Sequence, residues 1–399
     1  MLLVRQDVRE LNARNSLPSY LDLSRDCTAM RNDSITGSVV ANWIWGGEGD
    51  DELNGDLADD VLYGGVGNDT LRGGAGDDTY FFPDGVAETE TLVEDSGAVT
   101  DGLAAGGGSD TITFFNISGP IVFDLTQVTQ VVNGLLTISL EDSSGPNSDY
   151  FENLIGNQSF TNELYGNEAE NRLVGGTLSD LLEGAGGNDA LLGRAGDDSL
   201  HGGEGDDVLL GGDGNDPELF GEGGRDIIVG EAGADILDGG DEDDILIDGT
   251  VLFGTGTEEE TLEALDVIRG QWGLTDRSYE ERTANITAGV GRGAAFSLVV
   301  SSTVFYDTDA DTLTGGLGMD WFFRNLADDT VTDLETGETA AAKTLFELAT
   351  SPADETLHRR ATNAVFGLLD DLQSLSERDD RGSETTDDEL GIALGWLDA

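Results

Sequence analysis

The strongest constraint on the fold is a nine-residue period marked by glycine. Glycine recurs at Gly166, Gly175, Gly184, Gly193, Gly202 and Gly211, and again at Gly221, Gly230 and Gly239 after one extra residue at Pro217-Glu218. A shorter array has the same spacing at Gly37, Gly46, Gly55, Gly64 and Gly73. Six Gly-rich residues favour a turn, because glycine adopts left-handed backbone at low cost, and the three that remain suit a short strand. Repetition at a fixed short period predicts a solenoid.

Two further positions of each nine-residue unit are nearly constant. The eighth residue is aliphatic, as in Leu182, Leu191 and Leu200, which predicts a side chain that points inward from the strand. The sixth residue is aspartate in most units, namely Asp51, Asp60, Asp69, Asp78, Asp180, Asp189, Asp198, Asp207, Asp216, Asp226, Asp235 and Asp244. Asp311 and Asp320, in "DTDADTLTGGLGMDWFF", return to the same phase.

This pattern, G-G-x-G-x-D-x-U-x with U aliphatic, resembles the repeat of the RTX, or hemolysin-type calcium-binding, proteins. The resemblance covers roughly residues 37–82 and 157–247. It implies an all-β fold, a right-handed parallel β-roll or β-helix solenoid, in which two units form one coil. It also implies that Ca²⁺ lies between stacked turns, bound by Asp carboxylates and glycine carbonyls. Oxygen ligands suit this hard cation.

Stacking of turns 18 residues apart predicts which aspartates face each other. The expected pairs are 51 with 69, 60 with 78, 180 with 198, 189 with 207, 198 with 216, 207 with 226, 216 with 235 and 226 with 244. About eight calcium sites or more follow, although the extra residue at Pro217 puts the pairs that cross it in question. A single aspartate of this kind is usually a solvated turn residue, but the constant phase over many units favours calcium.

Asparagine replaces aspartate at the start of the longer array. We assign Asn153, Asn162 and Asn171 to sixth positions and expect these coils to stack without a full calcium site, since an amide forms hydrogen-bonded ladders without charge. The alternative is weak ligation through the amide carbonyl.

The charge of the chain limits its partners. Its 399 residues include 81 Asp and Glu against 19 Lys and Arg, a net charge of −62, which excludes a nucleic-acid binder and argues against docking on anionic lipid. Cys27 is the single cysteine, so no disulfide framework is expected. No run is apolar enough to span a membrane, and charges in the first fifteen residues argue against a cleaved signal peptide.

Composition divides the chain into six segments. We assign residues 1–36 to an N-terminal segment, 37–82 to a first roll and 157–249 to a second. Residues 83–156 between them contain strand-like runs, which predict either wide coils of the same solenoid or a small separate β domain. A helix-containing module is expected at 250–325, and amphipathic helices at 326–399. By the resemblance, this tail is either a type I secretion signal or a helical cap.

Aromatic residues close two repeat segments, in "GDDTYFF" and "GMDWFF". We expect them, Trp321 included, to cap open solenoid ends rather than to bind sugar.

A search for catalytic motifs finds no H-E-x-x-H, no G-x-S-x-G and no Walker loop, and the chain has two histidines, His201 and His358. We therefore expect a non-enzymatic, calcium-binding structural protein. By the resemblance, it would be bacterial, located outside the cell or on its surface, and partnered by the type I secretion machinery and by extracellular polysaccharide. The alternative is the calcium-binding part of a larger secreted enzyme, a polysaccharide epimerase or hydrolase.

Overall fold

The structure is a computed structural model that describes residues 32–82, 85, 87–94, 108–142, 151–291, 296–299, 302–307, 309–325, 329–333 and 339–340. Within these residues the chain is a β-solenoid of short parallel strands. Two helices lie toward its C-terminal part. The predicted fold class is confirmed.

One long sheet runs along the whole solenoid, and we call it sheet B. Its strands, in spatial order, are β2 (Trp43–Glu48), β4 (Val61–Val66), β6 (Thr79–Phe81), β8 (Thr111–Thr113), β12 (Asn153–Ile155), β14 (Arg172–Val174), β16 (Ala190–Ala195), β18 (Val208–Asp213), β20 (Ile227–Ala232), β22 (Ile245–Ile247), β26 (Trp321–Phe323) and β28 (Thr339–Ala340).

Two further sheets line the opposite side. Sheet A contains β1 (Ser34–Ser38), β3 (Glu52–Leu57), β5 (Thr70–Ala75), β7 (Thr89–Glu94), β11 (Leu136–Asp142) and β10 (Thr129–Val132). Sheet C contains β9 (Ile121–Asp124), β13 (Asn162–Tyr165), β15 (Leu181–Gly186), β17 (Ser199–Glu204), β19 (Glu218–Gly223), β21 (Ile236–Asp241), β25 (Thr312–Leu317) and β27 (Thr330–Val331).

A single row of apolar side chains fills the space between the sheets. The eighth residues of the repeats, among them Leu62, Leu191 and Leu209, are 0% exposed and come alternately from the two sides. Each coil returns after 18 residues, as in the pairing of Leu182 with Leu200, so that identical positions stack. The nine-residue period is therefore half of one coil.

The region between the arrays continues the same solenoid. β8 pairs in parallel with both β6 and β12, so the coil at residues 108–155 joins the two arrays through sheet B. Of the two alternatives raised by the sequence, the structure shows the wide coils.

The helices cover the outer face of sheet B in the second array. Helix α1 (Glu258–Trp272) and helix α2 (Tyr279–Ala288) follow a short hairpin of β23 (Thr250–Val251) and β24 (Val304–Phe305). Trp272 and Ile268 are fully buried, in one cluster with Ile227, Val229 and other outward-facing residues of sheet B. A second apolar layer therefore lies outside the roll.

The expectation that aromatic residues cap solenoid ends is wrong. Tyr80 and Phe82 lie in the interior core midway along sheet B, where Tyr80 contacts Phe151. Trp321 packs on the outer face against Trp272 of α1, with ring centroids 6.1 Å apart. Beyond it, β28 still pairs with β26, so the sheet does not end at Trp321.

Several predictions fall on residues outside the described ranges. They concern Cys27, His358 and the helices and secretion signal of the C-terminal tail. The described part of that tail consists of β27 and β28, which extend sheets C and B past residue 325. No helix in the described residues is long and apolar enough to cross a membrane.

Candidate metal centres

Each turn of the solenoid buries the carboxylate of its sixth residue. One carboxylate oxygen, Oδ1, accepts a hydrogen bond from the backbone N–H of the sixth residue one coil earlier. In the second array Asp180 donates to Asp198 and Asp189 to Asp207, both at 2.7 Å. All fourteen predicted aspartates accept such a bond, at 2.5–2.9 Å. The stack of turns is thus a continuous ladder of backbone donors and carboxylate acceptors.

The second oxygen, Oδ2, has no hydrogen-bond partner in most of these turns. Among the described residues, such buried Oδ2 atoms belong to Asp51, Asp60, Asp69, Asp78, Asp189, Asp198, Asp207, Asp216, Asp226, Asp235, Asp244 and Asp311. A buried carboxylate oxygen without a partner is costly, and a repeated orphan of this kind requires a physical explanation.

The glycine at the first position shapes the space around this oxygen. A Cβ placed on Gly193 would lie 2.4 Å from Asp198 Oδ2 and 2.6 Å from the carbonyl oxygen of Gly211 in the next coil. Both oxygens therefore face the space that a side chain would otherwise fill. Glycine is required here because any larger residue would displace the carboxylate.

Burial raises the pKa of these carboxyls above the ordinary value. Desolvation is the main cause, and it raises the pKa of Asp51 to about 6, that of Asp198 to about 7 and that of Asp207 to about 9. At Asp207 the charge of Asp226 adds to the effect. In the absence of a cation, the roll therefore holds rows of carboxyls that resist ionisation.

These oxygens match the ligands of a hard cation. Calcium binds six to eight oxygens from carboxylates and backbone carbonyls, and here both kinds face one space between coils. A divalent ion there would supply the missing partner of each Oδ2 and would offset the repulsion between stacked carboxylates.

Comparison with protein families supports the same assignment. A family model described as RTX calcium-binding nonapeptide repeat (4 copies) matches residues 30–62, 55–82, 165–200, 183–216 and 218–247. These segments are RTX calcium-binding repeats. No curated protein matches the chain.

The extra residue at Pro217 leaves the RTX ladder intact. Asp207 donates to Asp226 at 2.8 Å, and Asp216 donates to Asp235 at 2.9 Å, each over 19 residues instead of 18. The insertion lies between Asp216 and the strand that begins at Glu218, so it leaves the stacked turns unchanged.

The asparagine rungs differ from the RTX aspartates in the way predicted. Asn162 and Asn171 are buried, and their amides are satisfied within the protein. Asn162 Oδ1 accepts from the backbone N–H of Asn157, and its Nδ2 donates to the Asn157 carbonyl. Asp180 resembles them, because Gly176 N–H donates to its Oδ2 at 2.6 Å. We therefore expect Asp180 to be a weaker calcium ligand than Asp189.

The assignment of Asn153 to a sixth position is wrong by one residue. Asn153 pairs with Arg172 and Thr111, so the residue before it, Glu152, occupies the rung below Asn171. Coils in this region are longer than 18 residues, so extrapolation of the period from the second array gave the wrong register.

Three acidic rungs in the region between the arrays were missed. Asp110 accepts from the N–H of Asp78 at 2.8 Å, and Asp110 N–H donates to Glu152 Oε2 at 2.8 Å. Glu90 lies opposite Asp69, is 1% exposed, and burial raises its pKa to about 9. The "GGGSDTI" around Asp110 preserves the repeat signature and was the available signal.

Proposed function

We propose that this chain is a structural protein of the cell exterior whose roll assembles when calcium fills the spaces between its coils. The observation that carries the proposal is the row of buried Oδ2 atoms without partners, which extends through both arrays. We propose no catalytic role for the described residues.

The concentration of calcium would decide where the roll assembles. Extracellular calcium modules have dissociation constants of about 10⁻⁴–10⁻³ M, so such sites fill outside a cell and stay empty within it. The charge of −62 disfavours compaction until cations neutralise part of it. The chain would thus be extended before export and rigid afterward.

The test is a calcium titration of the full chain, followed by far-UV circular dichroism. We expect a cooperative gain of β signal at roughly millimolar calcium, reversed by chelator, and weakened by Asp207→Ala. A complete β signal in excess chelator would contradict the proposal, because the carboxylates would then be tolerated without an ion.

Export is a separate part of the proposal. The RTX repeats and the absence of an expected cleaved leader favour type I secretion through a C-terminal signal. Removing residues 340–399 should abolish export through a co-expressed type I exporter, while calcium-dependent folding of the remainder should persist. Normal export of the shortened chain would refute this route.

A further inference from the structure

One coil of the roll departs from the repeat at its first position. Counting nine residues on from Gly230 and Gly239 leads to Asp248, where the pattern requires glycine. β22 pairs with β20 through Ile247 and Val229, so Asp248 lies opposite Gly230. Its carbonyl oxygen lies 2.9 Å from the position of a Cβ on Gly230, as glycine carbonyls do in regular coils. The backbone of Asp248 thus takes the place of glycine, but a carboxylate is added.

The sixth residue of this coil comes from a distant part of the sequence. The chain leaves the roll after Asp248, forms the helical module and returns at Tyr306, so that Asp311 completes the turn. Asp235 N–H donates to Asp311 Oδ1 at 2.7 Å, and Asp311 N–H donates to Asp329 Oδ1 at 3.1 Å. The ladder therefore continues through the interruption.

Three carboxylates meet at this point. One oxygen from each of Asp248, Asp311 and Asp329 lies within 4.8 Å of the others. The residues are 0%, 2% and 8% exposed. In the regular repeats, glycine leaves this space to a single Oδ2, so the third carboxylate is an addition to the repeat.

The oxygens are only partly satisfied by the protein. Asn325 N–H donates to Oδ2 of both Asp248 and Asp329, which holds these two carboxylates side by side. Asp248 Oδ1 and Asp311 Oδ2 are buried and have no hydrogen-bond partner among the described residues. Arg324 donates from Nη1 to the backbone carbonyl of Asp329 at 3.2 Å, but one guanidinium does not balance three carboxylates.

We propose that Asp248, Asp311 and Asp329 bind a calcium ion of higher affinity than those of the regular repeats. The proposal rests on the calcium-dependent function above and adds a site that the repeat motif does not contain. A larger number of charged ligands tightens calcium binding. The ion would join Asp248 to Asp311 and so fasten the two ends of the inserted helical module to the roll. Closing that long loop would order the region before the other sites fill.

The test is calorimetric titration of the full chain with calcium, in wild type, in Asp248→Gly, which restores the repeat, and in Asp248→Asn, which keeps the side-chain volume. Wild type should show a tight class of binding followed by a weaker class. Both variants should lose the tight class, with an affinity drop of about tenfold or more at that site, and should retain the weaker class. Circular dichroism at saturating calcium verifies that each variant folds.

Three outcomes separate the hypotheses. Failure of wild-type protein to bind calcium would refute the proposed function itself. Binding by wild type with the tight class unchanged in the folded Asp248→Asn protein would overturn this site alone. A gain in calcium-free stability in Asp248→Asn without any change in calcium binding would also overturn it, since Asp248 and Asp329 would then share a proton instead of an ion.

Discussion

Replacing one buried ladder carboxylate by its amide should have opposite effects with and without calcium. Asp198 is 0% exposed, and its Oδ1 accepts from Asp180 N–H at 2.7 Å while its Oδ2 has no partner. Asn in this position retains the Oδ1 acceptor but carries no charge. In Asp198→Asn, the backbone ladder should therefore persist while the calcium ligand is weakened.

The calcium-free effect follows from the raised pKa of Asp198. Burial raises this pKa from 3.8 to about 7, so the protonated carboxyl favours the folded state. That contribution is complete below pH 4 and is lost as pH rises through about 7. A shift of this size costs the folded state about 4 kcal/mol at pH 8. Asp198→Asn should remove most of this cost and raise the calcium-free β signal at pH 8.

At saturating calcium the sign should reverse. A site at a free calcium concentration about 100 times its Kd contributes about 2.7 kcal/mol, and Asp198 faces both Asp180 and Asp216. The variant should therefore unfold at a lower temperature than wild type when calcium is present. Thermal unfolding at pH 8, in chelator and in excess calcium, measures both effects.

The neighbouring residue provides a matched control. Asp197 is exposed, and its Oδ1 accepts from Asn215 N–H at 2.9 Å, a bond that Asn would preserve. Asp197→Asn should change stability little in either condition. If Asp198→Asn destabilises the chain in chelator as well, the buried charge is not the cost that we infer, and the reasoning fails.

Four further outcomes follow from the structure. Crystals grown in calcium should show ions beside Asp189 and Asp207 but few beside Asn171; equal occupancy would contradict the distinction between rungs. Ala185 has a φ of 82°, so Ala185→Gly should stabilise the calcium-loaded roll by about 0.5–1 kcal/mol in chemical unfolding, and a loss would show that the left-handed backbone is not strained. Trp272→Ala should cost about 3–5 kcal/mol and expose α1 to hydrogen exchange while the roll still responds to calcium; unchanged exchange would show that Trp272 does not hold the module in place. Lowering the pH from 8 to 6 should weaken calcium binding measured by calorimetry, because protons compete for carboxyls of raised pKa, and pH-independent affinity would exclude them as ligands.

The period alone predicted the geometry of the regular coils. Leucine at the eighth position and aspartate at the sixth occupy the core and the ladder because each coil repeats the same backbone, so that sequence phase becomes position in space. The prediction failed where coils change length. Asn153 was displaced by one residue because the chain between Asp110 and Glu152 is longer than one coil, and phase cannot be carried across a loop of unknown path.

The position of the helical module depended on a signal outside the motif. Sheet B carries apolar residues on both faces in the second array, as in Ile227-Ile228-Val229, whereas sheet C alternates, as in Ser199-Leu200-His201. A strand triplet that is apolar throughout is buried on both faces, which indicates a covering layer. The sequence shows that a cover is needed, but not which segment provides it, because the contact between Trp272 and Trp321 arises only in the folded chain.

The ladder also explains why folding and calcium binding should be coupled along the chain. Each aspartate orders the coil before it through Oδ1 and presents Oδ2 to the ion, so one side chain serves both backbone pairing and ligation. This coupling is interrupted where Asn162 and Asn171 satisfy their own amides. The two arrays are therefore two cooperative blocks joined by coils that contain these uncharged rungs. Those rungs can stay stacked at calcium concentrations too low to order the acidic ones, because folding them buries no charge.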